Sequence, residues 1–183
     1  KKAGMGGFFM HSRNGLETPY MEEEWMECVK VAVETAADLG MYAWLYDEDR
    51  WPSGTAGGKV PALGEEFRCK GLTLEIREPE EYSALLQEGG LTALYAGIFQ
   101  DMEISEFRRL FADEPEELLP GERILAVRLE VSGTSGWFNG QTPPDQLNPD
   151  CVRKFLELTH EKYREAVGAQ FGKAVPGIFT DEP

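Results

Sequence analysis

Basic residues are scarce in this sequence: 18 lysines and arginines stand against 33 aspartates and glutamates, which gives a formal net charge of −15 at pH 7. A protein that binds nucleic acid or an anionic membrane surface usually carries the opposite balance, because it must neutralise phosphates. Neither nucleic acid nor membrane is therefore predicted as a partner. An acidic surface is compatible with a neutral polyol or a cation as ligand, and equally with simple solubility.

Cysteine and histidine are also few, with three and two residues respectively. Cys28, Cys69 and Cys151 lie far apart and form no C-x-x-C motif, so neither a disulfide framework nor a zinc site is predicted. The sequence contains no P-loop and no G-x-G-x-x-G motif. It also lacks an uninterrupted apolar run of about 18 residues, the length that a membrane span needs.

Short apolar runs and amphipathic helical patterns alternate at both ends of the chain. Gly6–Met10, Met41–Leu45 and Val175–Phe179 are typical of buried strands in a parallel sheet. A helix is predicted between the first two strands, with Thr18-Pro19 as its N-cap and first position and Gly40 as its C-terminal glycine. This is the strand–helix–strand unit of a parallel α/β fold.

A second helix is predicted to begin at Asn148, where Asn-Pro-Asp supplies an N-cap, a first-turn proline and a first-turn acid. Its apolar stripe runs for about five turns to Val167. The third strand follows this helix. The same alternation of strand and helix therefore returns before the end of the chain.

Residues 59–147 interrupt this alternation. Strands are predicted at Phe67–Arg77, Leu91–Phe99 and Ile124–Val131, with helix-tolerant pieces at Pro79–Gln87 and Ile104–Leu119. Because a joint between a strand and a helix usually has about 2–6 residues, we interpret this segment as an inserted β-rich subdomain. The predicted organisation is one α/β domain made of residues 1–58 and 148–183, with the insertion at 59–147.

The two ends of the chain look like cuts in a longer protein. Lys1–Gly4 resembles the last turn of a helix, and Asp181–Pro183 comes directly after a strand. We therefore expect one catalytic domain that is truncated at both ends.

Polar side chains follow each of the three predicted parallel strands. His11 and Arg13 follow the first, residues 46–51 follow the second, and Asp181 and Glu182 follow the third. Since the carboxyl ends of parallel strands meet at one edge of a sheet, we expect these side chains to lie close together. Carboxylates and aromatic rings suit a sugar, because cleavage of a glycosidic bond needs two carboxyl groups and sugar rings stack on aromatic faces.

Glu182 is the candidate catalytic carboxylate, with Asp181 beside it as a catalytic or positioning residue. The candidate substrate-binding residues are polar or aromatic and lie at the strand ends or in the glycine-rich loop 133–140: His11, Arg13, Tyr46, Asp47, Asp49, Trp51, Trp137 and Asn139. Arg50 is either the ion-pair partner of a neighbouring acid or a ligand-binding group. His160 is interpreted as a surface or packing residue of the second helix.

A calcium site is the main chemical alternative. The oxygens of Asp47, Glu48, Asp49 and Asp181 are of the type that Ca²⁺ prefers, although their spacing differs from that of an EF-hand loop. No metal ligands and no cofactor are predicted, and calcium is kept as the alternative.

Three stretches of this sequence resemble a known group of enzymes: GGFFMHSRNGLETPY (6–20), WLYDEDRWPSGTAGG (44–58), and LNPDCVRKFLELTHEKY (147–163) followed by VPGIFTDEP (175–183). They resemble bacterial TIM-barrel glycoside hydrolases of the α-L-rhamnosidase-like group, related to glycoside hydrolase family 106. The resemblance is firmest in residues 4–58 and 137–183.

This resemblance implies a partial (β/α)₈ barrel containing about its second to fourth strands. It also implies an O-glycosidic hydrolase with a carbohydrate substrate and with Glu182 as general acid, in the position of the glutamate of an Asn-Glu-Pro motif. Asp181 stands in the place of the asparagine, so both retention and inversion stay open. The remainder of its own barrel is then its partner, and the piece alone is expected to be inactive. The alternatives are a non-catalytic carbohydrate-binding barrel and a calcium-dependent sugar-binding site.

Overall fold

The computed structural model describes residues 1–101, 103–114 and 116–182. It is a mixed α/β structure, which confirms the predicted class at that level. Its strands and longer helices are, in chain order, β1 (Gly7–Phe9), α1 (Glu23–Leu39), β2 (Tyr42–Tyr46), β3 (Lys70–Arg77), α2 (Tyr82–Glu88), β4 (Leu91–Gln100), β5 (Glu103–Leu110), β6 (Arg123–Val131), α3 (Pro149–Leu158), α4 (His160–Val167) and β7 (Ile178–Phe179).

The chain divides into two compact units. Unit 1 consists of Lys1–Cys69 and Ser132–Pro183, and unit 2 consists of Lys70–Val131. The compact second unit is shorter than the segment 59–147 of the prediction, because the loops on either side of it belong to unit 1.

Unit 1 is built on a three-stranded parallel sheet in the order β1-β2-β7. Gly7 lies opposite Tyr42 in this sheet, and Leu45 lies opposite Ile178. A Cβ atom on Gly7 would lie 2.6 Å from the carbonyl oxygen of Tyr42, so only glycine fits there. The chain passes through α1 between β1 and β2, and through α3 and α4 between β2 and β7. The carboxyl ends of all three strands therefore share one edge.

Helix α1 starts later than predicted, at Glu23 instead of near Pro19. The prediction of its start was wrong because Met21 has a φ of 60°, in the left-handed region, which an α-helix cannot contain. The side chain of Met21 is 1% exposed, so burial of this residue outweighs the local preference for a helix. The predicted end is confirmed: Gly40, with φ 58°, caps the helix.

The predicted second helix is two shorter helices, α3 and α4. The predicted start is confirmed, since the side chain of Asn148 accepts a hydrogen bond from the backbone N–H of Asp150 at 3.0 Å. The break falls at Thr159, whose φ of −125° is not helical. The Thr159 hydroxyl donates to the carbonyl oxygen of Phe155 at 2.7 Å, a back-bond that bends helices.

The core of unit 1 connects both helical segments to β2. Val29 and Val33 of α1 and Leu45 of β2 are buried in it, each contributing about 1.5–3 kcal/mol by removal from water. Tyr163 of α4 is also fully buried, and its hydroxyl donates to the carbonyl oxygen of Tyr46 at 2.9 Å. The packing of α4 therefore fixes the last residue of β2, where the predicted site begins.

Unit 2 is a four-stranded antiparallel sheet in the order β3-β6-β4-β5, with α2 packed against one face. The predicted strands of this segment are present as β3, β4 and β6. The prediction of helix-tolerant structure for Ile104–Leu119 was wrong over residues 104–110, which belong to strand β5. Its charged residues suit an edge strand, and Arg108 forms a two-pronged ion pair with Glu122 at 2.9 and 3.0 Å.

Candidate functional site

Three of the predicted residues meet at the carboxyl edge of the parallel sheet. The rings of His11 and Tyr46 stack, with centroids 3.9 Å apart and planes at 17°. The Tyr46 hydroxyl donates to Oδ2 of Asp181 at 3.4 Å. Each of the strands β1, β2 and β7 thus contributes one residue at its carboxyl end, and Tyr46 contacts both His11 and Asp181. We call His11, Tyr46 and Asp181 the strand-end site.

The hydrogen bonds of the strand-end site fix its proton positions. Nδ1 of His11 lies 2.9 Å from the carbonyl oxygen of Ser12, which can only accept, so Nδ1 carries a hydrogen. In the neutral ring, Nε2 is then free of hydrogen and acts as an acceptor. Burial, together with the neighbouring Asp181, raises the pKa of Tyr46 well above its ordinary value. Tyr46 is therefore a protonated donor at neutral pH.

Glu182 follows this site on the exposed surface, with a φ of 47° in the left-handed region. The preceding residue is held by two backbone contacts with Ser53: the Ser53 N–H donates to the Asp181 carbonyl at 2.7 Å, and the Asp181 N–H donates to Oγ of Ser53 at 3.0 Å. The predicted catalytic carboxylate is thus attached to a fixed segment and faces solvent.

Asp47 has no exposed surface. Its Oδ1 accepts a hydrogen bond from the Ser53 hydroxyl, and its Oδ2 accepts one from the Thr180 hydroxyl, both at 2.6 Å. A sugar hydroxyl would reach this carboxylate only if one of these two groups released it. In this arrangement Asp47 connects the loop after β2 to the segment after β7.

Glu48 is also fully buried, and it organises the loop that follows β2. Both of its carboxylate oxygens accept hydrogen bonds of 2.6 to 3.0 Å from backbone N–H groups. The donors are the N–H groups of Asp49, Gly54, Thr55, Ala56 and Gly57. Burial raises the pKa of Glu48, and the backbone donors oppose that shift by favouring the charged form. Glu48 was predicted only as an oxygen ligand of the calcium alternative, and in the structure its carboxylate holds the loop closed around itself.

Asp49 belongs to a network that includes the second loop of the site. The side-chain amide of Asn139 donates to Oδ2 of Asp49 and to the carbonyl oxygen of Gly57, both at 3.0 Å. Arg50 donates to Oδ1 of Asn139 at 2.7 Å and approaches Asp49 at 3.3 Å. Of the two alternatives left open for Arg50, the structure places it as the partner of a neighbouring acid.

The two predicted stacking tryptophans lie in one aromatic cluster. The rings of Trp51 and Trp137 meet edge to face, with centroids 4.6 Å apart, and Nε1 of Trp137 donates to the Trp51 carbonyl at 2.6 Å. The guanidinium group of Arg13 lies 5.7 Å from the ring centroid of Trp51, within the range of a cation–π contact. Trp51 is 39% exposed, so part of this cluster is accessible to a ligand.

His160 lies beside Asp47 and not on an open surface of the helix. Its Nε2 is 3.6 Å from Oδ2 of Asp47. The hydroxyl hydrogen of Thr159 is already donated to Phe155, so Nδ1 of His160, 3.0 Å from that hydroxyl, must be the donor. Neutral His160 therefore has no hydrogen on Nε2, and the pair with Asp47 is ionic only when His160 is protonated.

Asp47 and His160 both line a cleft of about 450 Å³ beside α3. Its polar lining includes Ser53 and Thr180, and its apolar wall comes from Val152 and neighbouring residues of α3. The residues Ser53, Thr180 and His160 were not among the predicted site residues. Hydroxyl and imidazole side chains far apart in sequence carry no local signal that they share a carboxylate, and only the sheet order brings them together.

Acidification is expected to destabilise unit 1 through His160. Burial lowers the pKa of His160 from its ordinary value of 6.5, although Asp47 and Glu161 partly offset this. Between the two pKa values the unfolded chain binds a proton that the folded chain does not, so the free energy of unfolding falls as the pH is lowered from 6.5. Urea denaturation followed by tryptophan fluorescence between pH 7.5 and 5 measures this fall in the free energy of unfolding.

The matched variant for this measurement is His160→Gln, which cannot titrate. It should show a shallower decline over the same pH range, whatever its stability at pH 7.5. If the free energy of unfolding falls equally steeply with pH in the two proteins, the decline is not due to His160. Fluorescence reports on unit 1 alone, because all the tryptophans belong to it: Trp25, Trp44, Trp51 and Trp137.

Among the described residues, no group of three or more histidine, cysteine, aspartate or glutamate side chains is arranged to hold a metal ion. The oxygens named for the calcium alternative accept protein hydrogen bonds in Asp47, Glu48, Asp49 and Asp181. Within the same residues, no helix has both the length and the apolar character needed to cross a bilayer. Comparison with models of protein families, with curated proteins and with solved structures found no match.

Proposed function

We propose that this chain forms part of a (β/α)₈ barrel that hydrolyses O-glycosidic bonds. Three consecutive parallel strands in the order β1-β2-β7, with helices in the connections, agree with about the second to fourth strands of such a barrel. Within the described residues, β1 and β7 each pair on one side only. These two strands carry the aromatic side chains of Phe9, 53% exposed, and Phe179, 39% exposed. Further strands of the same barrel would cover them.

The observation that carries this proposal is the contact between His11, Tyr46 and Asp181 at the carboxyl edge of the sheet. Active sites of barrel enzymes are built at that edge. Glu182 is proposed as the general acid, one residue beyond this contact. A general acid must carry its proton near neutral pH, and desolvation of the carboxyl group by bound substrate or by further barrel strands would favour that form.

The substrate in this proposal is a carbohydrate. Its hydroxyls would be oriented by His11 and Arg13, and its ring would stack on the exposed part of Trp51. Trp137 and Asn139 then support this platform, through the contacts with Trp51 and Arg50. Neither nucleic acid nor membrane has a place in the proposal.

A carbohydrate-binding barrel without hydrolysis is the second candidate. The observation that favours it is the engagement of Asp47, Glu48 and Asp49, each of which accepts hydrogen bonds from the protein itself. Among the described acids after the three parallel strands, this leaves for catalysis Glu182 and Asp181, which accepts a longer hydrogen bond from Tyr46 at 3.4 Å. Hydrolysis would need a second carboxylate that is placed on the opposite side of the bond, on another strand.

The test is an assay of the complete protein that carries this chain against a panel of nitrophenyl glycosides. Release of nitrophenol from at least one of them is the expected result. Binding of the corresponding free sugars by calorimetry, with no release from any glycoside, would support the second candidate instead. If the protein neither releases nitrophenol nor binds any of the sugars, both candidates are contradicted.

A further inference from the structure

The buried carboxylate of Asp47 is joined to both sides of the segment that carries Glu182. Its Oδ2 accepts from the hydroxyl of Thr180, and its Oδ1 accepts from the hydroxyl of Ser53, which in turn accepts from the backbone N–H of Asp181. We call Asp47, Ser53 and Thr180 the strand-end clamp. These contacts fix the two residues that precede Glu182.

The direction of each hydrogen bond in the clamp is determined. The hydroxyl of Ser53 has one hydrogen, which it donates to Asp47 at 2.6 Å, so it must accept from the Asp181 N–H at 3.0 Å. The hydrogen bonds therefore run in one direction from the backbone amide to the carboxylate. Bonds aligned in this way polarise one another, and those that end on a charged carboxylate are stronger than neutral ones.

A carboxylate is the group that this arrangement requires. It presents two acceptor oxygens to two hydroxyl donors, whereas asparagine would offer one acceptor and place an NH₂ group against the other hydroxyl. Burying a charge without such partners would be costly, so the two hydroxyls and the charge depend on each other. Asp47 has no exposed surface, and both of its oxygens are already engaged by protein hydroxyls at the inner wall of the cleft beside α3.

We propose that Asp47 is a positioning residue, which acts through Ser53 and Thr180 to fix the backbone that presents Glu182. The part of this inference that concerns catalysis rests on the proposed glycosidase function. The part that concerns the segment after β7 does not, because the contacts exist whatever that segment does. Asp47 was predicted to bind sugar hydroxyls, and in this proposal it has a role in the architecture of the site instead.

The first experiment measures hydrogen–deuterium exchange of the Asp181 amide by NMR in the complete protein. Asp47→Asn and Thr180→Val each remove one link of the clamp, and exchange is expected to be roughly tenfold faster in either, as for loss of one hydrogen bond. Thr180→Ser keeps the hydroxyl and is expected to keep the protection. Unchanged exchange in both Asp47→Asn and Thr180→Val would overturn the clamp.

The second experiment separates positioning from sugar binding. In Asp47→Asn and Thr180→Val, kcat is expected to fall by roughly 10- to 100-fold with KM nearly unchanged, because a displaced acid harms the transition state more than substrate binding. A raised KM with unchanged kcat would overturn positioning and restore Asp47 as a sugar ligand. If Asp47→Asn does not fold, judged by circular dichroism, Thr180→Val decides both measurements.

The two parts of the proposal can fail separately. Faster exchange in the variants of a protein that hydrolyses no glycoside would support the clamp and contradict the glycosidase function. Normal exchange in a protein that does hydrolyse glycosides would overturn the clamp and leave the function standing.

Discussion

Replacement of Glu48 by alanine is expected to lower the free energy of unfolding of unit 1 by at least about 3 kcal/mol, since each buried donor left unsatisfied costs about 1–3 kcal/mol. The Glu48 carboxylate is the acceptor for backbone N–H groups on both sides of the loop, from Asp49 at 2.8 Å to Gly57 at 2.6 Å. Some of these donors would reach water after the truncation, which keeps the expected loss below a simple sum. Urea denaturation followed by tryptophan fluorescence measures it.

Two further variants sharpen this experiment. Glu48→Gln keeps the size and one acceptor oxygen but directs an NH₂ group at backbone donors, so an intermediate loss is expected. Glu34→Ala removes an exposed glutamate from α1 and should change stability by less than about 0.5 kcal/mol. A loss in Glu48→Ala no larger than that of the control would contradict the role assigned to Glu48.

The same loop shows why its acids could not be assigned from sequence. Asp47, Glu48 and Asp49 are consecutive, so they look interchangeable in a one-dimensional pattern. Each has different partners in the structure: hydroxyls for Asp47, backbone amides for Glu48, and the side chain of Asn139 for Asp49. Those partners are set by how the chain folds back over the strand end, which no local periodicity records.

The features that were predictable have local physical causes. The apolar runs predicted the parallel strands. The cap at Asn148 and the terminal glycine at Gly40 are short-range hydrogen-bond motifs, and both are present. The convergence of His11, Tyr46 and Asp181 follows from parallel strand order, which needs only the strand–helix–strand pattern. Sequence therefore predicted which strand ends meet.

Two of the errors arose where tertiary contacts outweighed local preference, and a third arose at a local hydrogen bond. Met21 takes a left-handed backbone conformation as its side chain is buried, which delays the start of α1. Thr159 interrupts a continuous helical pattern through a bond to Phe155. Strand β5 is charged enough to look helical, and it is a strand because it pairs with β4. The burial of Met21 and the pairing of β5 with β4 are not visible in a window of a few residues.

Glu182→Gln is expected to lower kcat on a nitrophenyl glycoside by about 10²–10⁴-fold in the complete protein, the usual contribution of a general acid. Glutamine keeps the shape of the side chain and cannot donate the proton, so sugar binding measured by calorimetry should survive. The loss should be much smaller for a dinitrophenyl glycoside, because its leaving group departs without protonation. Turnover is followed by absorbance of the released phenol.

The control for this prediction is Glu34→Gln, an isosteric change at an exposed acid of α1 away from the strand ends, which should leave turnover unchanged. The dependence on the leaving group is the decisive measurement, because a variant that merely disturbs the fold loses activity equally on both substrates. Glu182 lies after a segment held by Asp47 and Ser53, so removing its carboxyl group should leave that segment in place. Near-normal turnover of Glu182→Gln on the nitrophenyl glycoside would contradict its role as the acid, and Asp181, with its contact to Tyr46, would then be the carboxyl group to test.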